Sequence, residues 1–184
     1  MIIVKADKSG ISSAVARLKK GQVVAYPTDT AYGLGGIFNS VKVTKDILRI
    51  KNRQDEKFTI VASSLYQVKK FFRLNQIEIE LAKKFWPGPL SIVVSSRFAV
   101  RVPNSKIAIA LCRRVGRPLI ATSANISGQQ SPYSAQEIID QFTDKKNQPA
   151  LILDAGRLKK IKTSTLVQVR ADKIEVLRQG AVKI

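Results

Sequence analysis

The chain has 184 residues, enough to bury one substantial core and too few for two. Hydrophobic residues make up 45%, with one cysteine and no histidine, which excludes a disordered chain, an internal disulfide, a thiolate metal cluster and the histidine-dependent triads. Thirty-two Lys and Arg against thirteen Asp and Glu leave +19, an excess that attracts polyanions, nucleic acid first among them.

The cations are dispersed in pairs such as Lys19-Lys20, Lys69-Lys70 and Arg113-Arg114, so the sequence marks no binding face, and a merely solvated surface is the plainer reading. No apolar stretch approaches the ~20 residues that span a bilayer. The opening Met1-Ile2-Ile3-Val4-Lys5 lacks a secretory leader, which predicts a cytoplasmic protein.

In chain order, Ile11, Ala14, Val15 and Leu18 recur at helical spacing, with Gly21 as the natural stop. Residues 22–26 form a short apolar strand ending at Pro27. The next ten residues, Pro27-Thr28-Asp29-Thr30-Ala31-Tyr32-Gly33-Leu34-Gly35-Gly36, are expected as a loop. Such a polar segment launched from a strand end suits the lining of a cleft. Residues 41–50 predict a helix capped by Asn39 or Ser40, and residues 58–62 a buried strand. Helices follow over 65–72 and 77–85, the second capped by Asn75, until Trp86-Pro87-Gly88-Pro89 breaks the pattern. Strands over 90–94 and 99–102 suit a hairpin. A helix over 107–115 leads to a strand over 119–122 that delivers Ser123 and Asn125. A loop over 127–132, a helix over 135–142 and strands over 151–154, 165–169 and 174–177 complete the chain. Neighbouring strands and helix pairs interrupt the alternation, so the expected fold is α+β, one domain over 1–184 with a mixed sheet flanked by helices.

Two tripeptides offer chemistry. Lys51-Asn52-Arg53 and Ser123-Ala124-Asn125 each place two functional side chains one residue apart, on one side of an extended backbone. Brought together, a point charge, a planar guanidinium, a hydroxyl and a carboxamide would receive a polyphosphate beside a polar organic group. Plainer readings stand beside this one. Cations closing a helix complement its dipole, Ser123 and Asn125 suit a turn before Gly128, and Asp29 is a common turn residue. Arg101 reads equally as a strand-surface cation, and Trp86 as core. The run Gly33-Leu34-Gly35-Gly36 is neither a dinucleotide fingerprint nor a P-loop.

Taken together, Pro27-Thr28-Asp29-Thr30-x-Tyr32-Gly33-Leu34-Gly35, Lys51-x-Arg53, Trp86-Pro87-Gly88-Pro89-Leu90, Arg101-Val102-Pro103 and Ser123-x-Asn125 resemble the YrdC family. Within it the likeness is to the short, single-domain bacterial synthases of threonylcarbamoyl-AMP. Leu177-Arg178-Gln179-Gly180 is similar to that family's last element, so the resemblance runs from about Ala6 to Gly180. It implies a twisted mixed sheet with helices on both sides and a positive concave face. The implied reaction joins L-threonine, bicarbonate and ATP into threonylcarbamoyl-adenylate and pyrophosphate. Partner proteins would then pass the group to adenosine 37 of tRNA, the t6A modification.

By residue, the resemblance implies Lys51 and Arg53 as the catalytic pair on the triphosphate. Ser123, Asn125, Ser164 and Arg178 would add ATP contacts. Thr28, Thr30, Tyr32, Arg53 and Arg101 would hold threonine and its carbamate. Mg²⁺ would arrive with ATP, with no dedicated protein metal site. The implied partners are tRNA or double-stranded RNA on the basic face and the downstream threonylcarbamoyl-transfer proteins, with no membrane. The charge supports a second reading, an RNA-binding translation accessory module. Three positions depart from the family pattern: Asn104-Ser105 where histidine often follows Arg-Val-Pro, Phe58 where proline is common, and a strand near Gln168 without its aspartate.

Overall fold

In the computed structural model, which describes residues 1–184, every strand joins one ten-stranded sheet. The chain runs β1 (Ile2–Lys5), α1 (Lys8–Lys19), β2 (Val24–Pro27), β3 (Tyr32–Ile37), α2 (Val41–Lys51), β4 (Phe58–Val61), α3 (Leu65–Phe71) and α4 (Gln76–Phe85). It continues through β5 (Leu90–Val93), β6 (Phe98–Arg101), α5 (Lys106–Val115), β7 (Leu119–Ser123), α6 (Ala135–Phe142), β8 (Leu151–Asp154), β9 (Thr165–Arg170) and β10 (Lys173–Arg178). Across the sheet the order is β1-β8-β2-β3-β7-β4-β6-β5-β9-β10, with parallel and antiparallel neighbours mixed. This is the α+β mixed sheet that the sequence predicts.

Local chemistry sets the helix ends. Asp7, Ser40, Ser64, Asn75, Ser105 and Ser134 each accept from the amide three residues on, satisfying a donor that the first turn leaves open. Asn75 and Glu78 complete a reciprocal capping box. At the other end, α2 stops on Asn52 in the left-handed region (φ 51°), which turns the chain sharply before Arg53.

Strand alternation divides the core between two sheet faces. Leu34, Ile60, Val100 and Ile120 pack against Val43 and Ile47 of α2 and Ile138 and Phe142 of α6. On the opposite face, Tyr26, Val61 and Leu119 meet Leu18 of α1 and Leu111 of α5. Farther along, α4 covers β5 and β9 through Leu81, Leu90, Ile92 and Val167.

Two strands correct the sequence reading. β1, where no strand was expected, pairs in parallel with β8 from Ile2–Leu151 to Lys5–Asp154. Its four residues lie at a sheet edge and are mostly exposed, so they carry no burial pattern to read. β3 occupies much of the expected glycine loop and sits mid-sheet, antiparallel to both β2 and β7. A Cβ at Gly35 would run into Ile120 O and lie 3.1 Å from the Tyr26 ring. The glycine there serves close strand approach rather than turn formation.

Candidate active site

The sheet face that carries Val61 and Ala121 opens, beyond the helices, into a cavity of about 870 Å³. Its floor is built from alternate residues of central strands: Thr59 of β4, Ala99 and Arg101 of β6, Ala121 and Ser123 of β7, and Gln168 of β9. These side chains are small or polar where a central strand usually presents large apolar ones, and the missing volume is the site. Six cations line it, namely Arg53, Lys57, Arg97, Arg101, Arg170 and Arg178, and no carboxylate does. The lining therefore favours a multiply charged anion.

The two tripeptides meet, but each divides its labour. Lys51 is the last residue of α2, so the pair does not extend along one strand as expected, and the turn at Asn52 sends its two cations apart. The Lys51 ammonium donates to Ser123 O (2.7 Å), Asn125 O (2.8 Å) and Asn125 Oδ1 (3.4 Å). Lys51 is 3% exposed and does not line the cavity. Burial, and secondarily the charge of Arg53, push its pKa down to about 8. Asn125 is also turned away from the cavity, donating through Nδ2 to Ile126 O and Gln129 O at 2.7 Å. Arg53 and Ser123 are the members that face the cavity. Arg53 stacks 5.0 Å from the Phe58 ring centroid and donates from Nη2 to Lys57 O, while its buried Nε has no partner.

Segment 27–31 forms a wall beside Ser123 and is braced by a buried ion pair. Arg101 Nη2 lies 2.6 Å from Asp29 Oδ1, with both side chains below one-tenth exposed. Asp29 Oδ2 accepts the Asn104 amide, and the Ser105 hydroxyl donates to Pro27 O. Asp29 is thus a tie rather than only a turn residue, and Arg101 is a paired interior cation rather than a surface one. Thr28 Oγ1 donates to Ala31 O at 2.7 Å and meets Thr30 Oγ1 at 3.2 Å, so both hydroxyls are set in place before any ligand arrives.

Tyr32 contributes its ring to the lining, but its hydroxyl is engaged elsewhere. It donates to Gly156 O at 2.8 Å and accepts the Ala155 amide at 2.9 Å. Burial raises that hydroxyl to about 12, which keeps it protonated. Ser164 meets Ser91 Oγ at 3.0 Å and accepts Arg178 Nη2 at its carbonyl (2.9 Å) and its hydroxyl (3.2 Å). Burial, then the charge of Arg101, lowers the pKa of Arg178. Gly180 is fixed by contact: a methyl there would run into Thr163 O and lie 2.5 Å from the Ser164 carbonyl carbon.

Lys57, Arg97, Arg170, Thr59, Ala121 and Gln168 were not singled out as ligand contacts by the sequence reading. A signal existed for the floor, since Thr59, Ala99 and Ala121 interrupt otherwise apolar strands at positions of one parity. None existed for the cations, which only sheet register brings together.

Residues 16–180 match the family model for Sua5, YciO and YrdC, described as "Telomere recombination". The chain belongs to this family. A threonylcarbamoyl-AMP synthase of Klebsiella pneumoniae is 34% identical over 151 residues, covering 73% of this chain and 80% of that protein. The crystal structure of Pyrococcus abyssi Sua5 complexed with L-threonine superposes with a TM-score of 0.85 at 31% identity, covering 97% of this chain and 56% of that one. Escherichia coli YciO gives 0.84 at 26% identity, covering 99% and 96%. This chain therefore spans little more than half the length of the Pyrococcus family member and nearly all of YciO. No helix is long and apolar enough to cross a membrane.

Proposed function

We propose that the protein joins L-threonine, bicarbonate and ATP into threonylcarbamoyl-AMP, releasing pyrophosphate. The observation that carries this reading is the open sheet floor with six cations and no carboxylate, in a family whose Klebsiella member is named for that product. The Pyrococcus protein, similar in fold over nearly all of this chain, was crystallised with L-threonine. A volume of about 870 Å³ lies at the large end of small-molecule sites and has room for a nucleotide with a second substrate.

In the proposed sequence, the threonine amine attacks bicarbonate, and water leaves as the carbamate forms. A carbamate oxygen then attacks the α-phosphorus, and the Pα–O bond to the β-phosphate breaks, with that oxygen departing on pyrophosphate. Both reactants are anions, so the cationic lining has to offset their repulsion and hold them in line. Thr28, Thr30 and the Tyr32 ring wall the threonine end, with Arg101 behind them. Ser123 and Arg53 face the phosphates, supported from behind by Lys51 and Asn125. Ser164 and Arg178 close the far wall. Asp29 is held by Arg101, and the Tyr32 hydroxyl by loop 155–156, so neither serves as a free base. Positioning and electrostatics carry the rate. With no carboxylate in the lining, Mg²⁺ fits as a companion of the ATP phosphates rather than as a protein-held ion.

The test is labelled-bicarbonate incorporation with ATP and each amino acid in turn. Label entering an adenylate only when threonine is present supports the reading; turnover indifferent to threonine ends it. The reading extends to delivery, through transfer proteins, to adenosine 37 of tRNA in the cytoplasm. The net charge of +19 supports an RNA partner and also suits an accessory module that binds RNA without turnover. RNA affinity that collapses with salt while adenylate synthesis persists separates the two activities.

A further inference from the structure

The cation pairs Lys19-Lys20, Lys69-Lys70 and Arg113-Arg114, scattered in sequence, close α1, α3 and α5. Three Lys or Arg lie in α1, two in α3 and three in α5, and these helices contain no Asp or Glu. Every acid borne by a helix lies instead in α2, α4 or α6. None of the ion pairs in the molecule involves a residue of α1, α3 or α5. The acids that adjoin them are already engaged. Asp7 Oδ1 accepts the Gly10 amide, Asp154 Oδ1 accepts the Gly156 amide, and Asp29 pairs with Arg101. Both members of each cation pair are exposed.

The three helices form one surface. Arg114 Nη2 on α5 donates to Ser12 Oγ on α1 (2.9 Å), and Gln67 Nε2 on α3 donates to Cys112 O on α5 (3.2 Å). Arg117, just past α5, lies 6.0 Å from the Phe71 ring of α3. Tyr66 of α3 is 70% exposed, with Lys70 Nζ 4.6 Å from its ring centroid, so the patch carries an aromatic face as well as charge. The Ser105 hydroxyl, which caps α5, donates to Pro27 O, so the surface adjoins the wall formed by segment 27–31. Helix dipoles alone do not account for this charge. They favour cations in the last turns, but Lys8 and Lys106 open α1 and α5, where a cation is unfavourable.

We infer that the outer face of α1, α3 and α5 is a docking surface for the phosphate backbone of a structured RNA, separate from the cavity that takes the small substrates. This rests on the reading that the protein meets RNA, and it puts the contact on helices rather than on the open sheet. Three neighbouring helices span about 20 Å. Along that length a nucleic-acid duplex presents on the order of ten phosphates, spread over both strands. Unpaired cations scattered over three elements suit such a spread better than the single stripe of carboxylates on an acidic helix. Tyr66 adds a surface on which an unpaired base of a loop can stack.

Anisotropy titration of a labelled tRNA transcript at several salt concentrations tests this on wild type, Lys19→Gln, Lys69→Gln, Arg113→Gln and Tyr66→Ala. Thermal melts check folding, and Lys57→Gln in the cavity and Lys145→Gln beyond α6 serve as controls for RNA binding. Each of the three charge variants should weaken RNA by roughly threefold or more and lower the slope of log K against log salt by about 1. Tyr66→Ala should weaken it by about tenfold with the slope unchanged. All four should make the adenylate at the wild-type rate, and both controls should bind RNA as wild type does. Helix variants that keep wild-type RNA affinity, or a loss confined to Lys57→Gln, overturn the inference and leave the RNA reading standing. A wild type that makes the adenylate but binds no RNA ends both. Polyglutamate that displaces the transcript as well as unlabelled RNA does would assign the face to an acidic protein and overturn the choice of RNA.

Discussion

Lys51 Nζ lies 2.8 Å from Asn125 O and 3.4 Å from Asn125 Oδ1, joining the end of α2 to the turn after β7. Two segments distant in sequence are thereby tied, and Arg53 and Ser123, their partners in each tripeptide, are left facing the cavity. The motif works as an inner pair that holds and an outer pair that faces the cavity.

Lys51→Met and Arg53→Ala should therefore fail differently. Lys51→Met strands three buried acceptors and should cost ~2–3 kcal/mol of stability, read from urea midpoints, with turnover falling as the turn loosens. Arg53→Ala should leave the midpoint nearly unchanged and cost roughly 2–4 kcal/mol of transition-state stabilisation in kcat/KM. Equal stability losses in both variants would contradict this division.

The same ammonium gives a pH signature. Burial holds Lys51 at about 8, below its ordinary value of 10.5, so between those limits the unfolded chain binds more protons than the folded one. Stability conferred through this group therefore rises as pH climbs from about 8 towards 10.5. The deficit of Lys51→Met relative to wild type should grow across that window and stay level below it. Denaturant midpoints of both proteins measured in steps from pH 7 to pH 10.5 check the sign.

Asp29→Asn removes the charge facing Arg101 in a pair whose side chains are 9% and 6% exposed. An unpaired buried guanidinium should cost ~3 kcal/mol, and segment 27–31 should lose its brace to β6. Because Thr28 and Thr30 sit on that segment, KM for threonine should rise more than KM for ATP. A larger effect on ATP would place the threonine wall elsewhere.

What the sequence discloses depends on how far apart the deciding atoms are. Each helix is announced by its own cap and spacing, as Asn75 and Glu78 announce α4 within one turn. β3 is hidden because Gly35 answers to Ile120 and Tyr26, and Gly36 to Val43, all of which lie outside it. The tripeptides show which chemical groups are present. They do not show that the left-handed Asn52 sends Lys51 inward and Arg53 outward. Lys57, Arg97 and Arg170 carry no local mark at all, since they become neighbours only through the register of β4, β6, β5 and β9.

The floor offers the most direct separation of fold from function. Ala121 pairs with Gly35 on one side and Thr59 on the other, and its methyl faces the cavity. Ala121 is 7% exposed and belongs to the packed core of this face, so a larger residue reaches the cavity only at an overpacking cost of ~1–3 kcal/mol. Ala121→Leu should lower the melting temperature modestly, the overpacking offset in part where the added carbons cover neighbouring apolar floor. It should also block the space required by nucleotide and carbamate, lowering ATP affinity by at least about tenfold, or ~1.4 kcal/mol. Titration with ATP beside a thermal melt decides the matter: a folded variant with unchanged ATP affinity would mean that the ligand lies elsewhere.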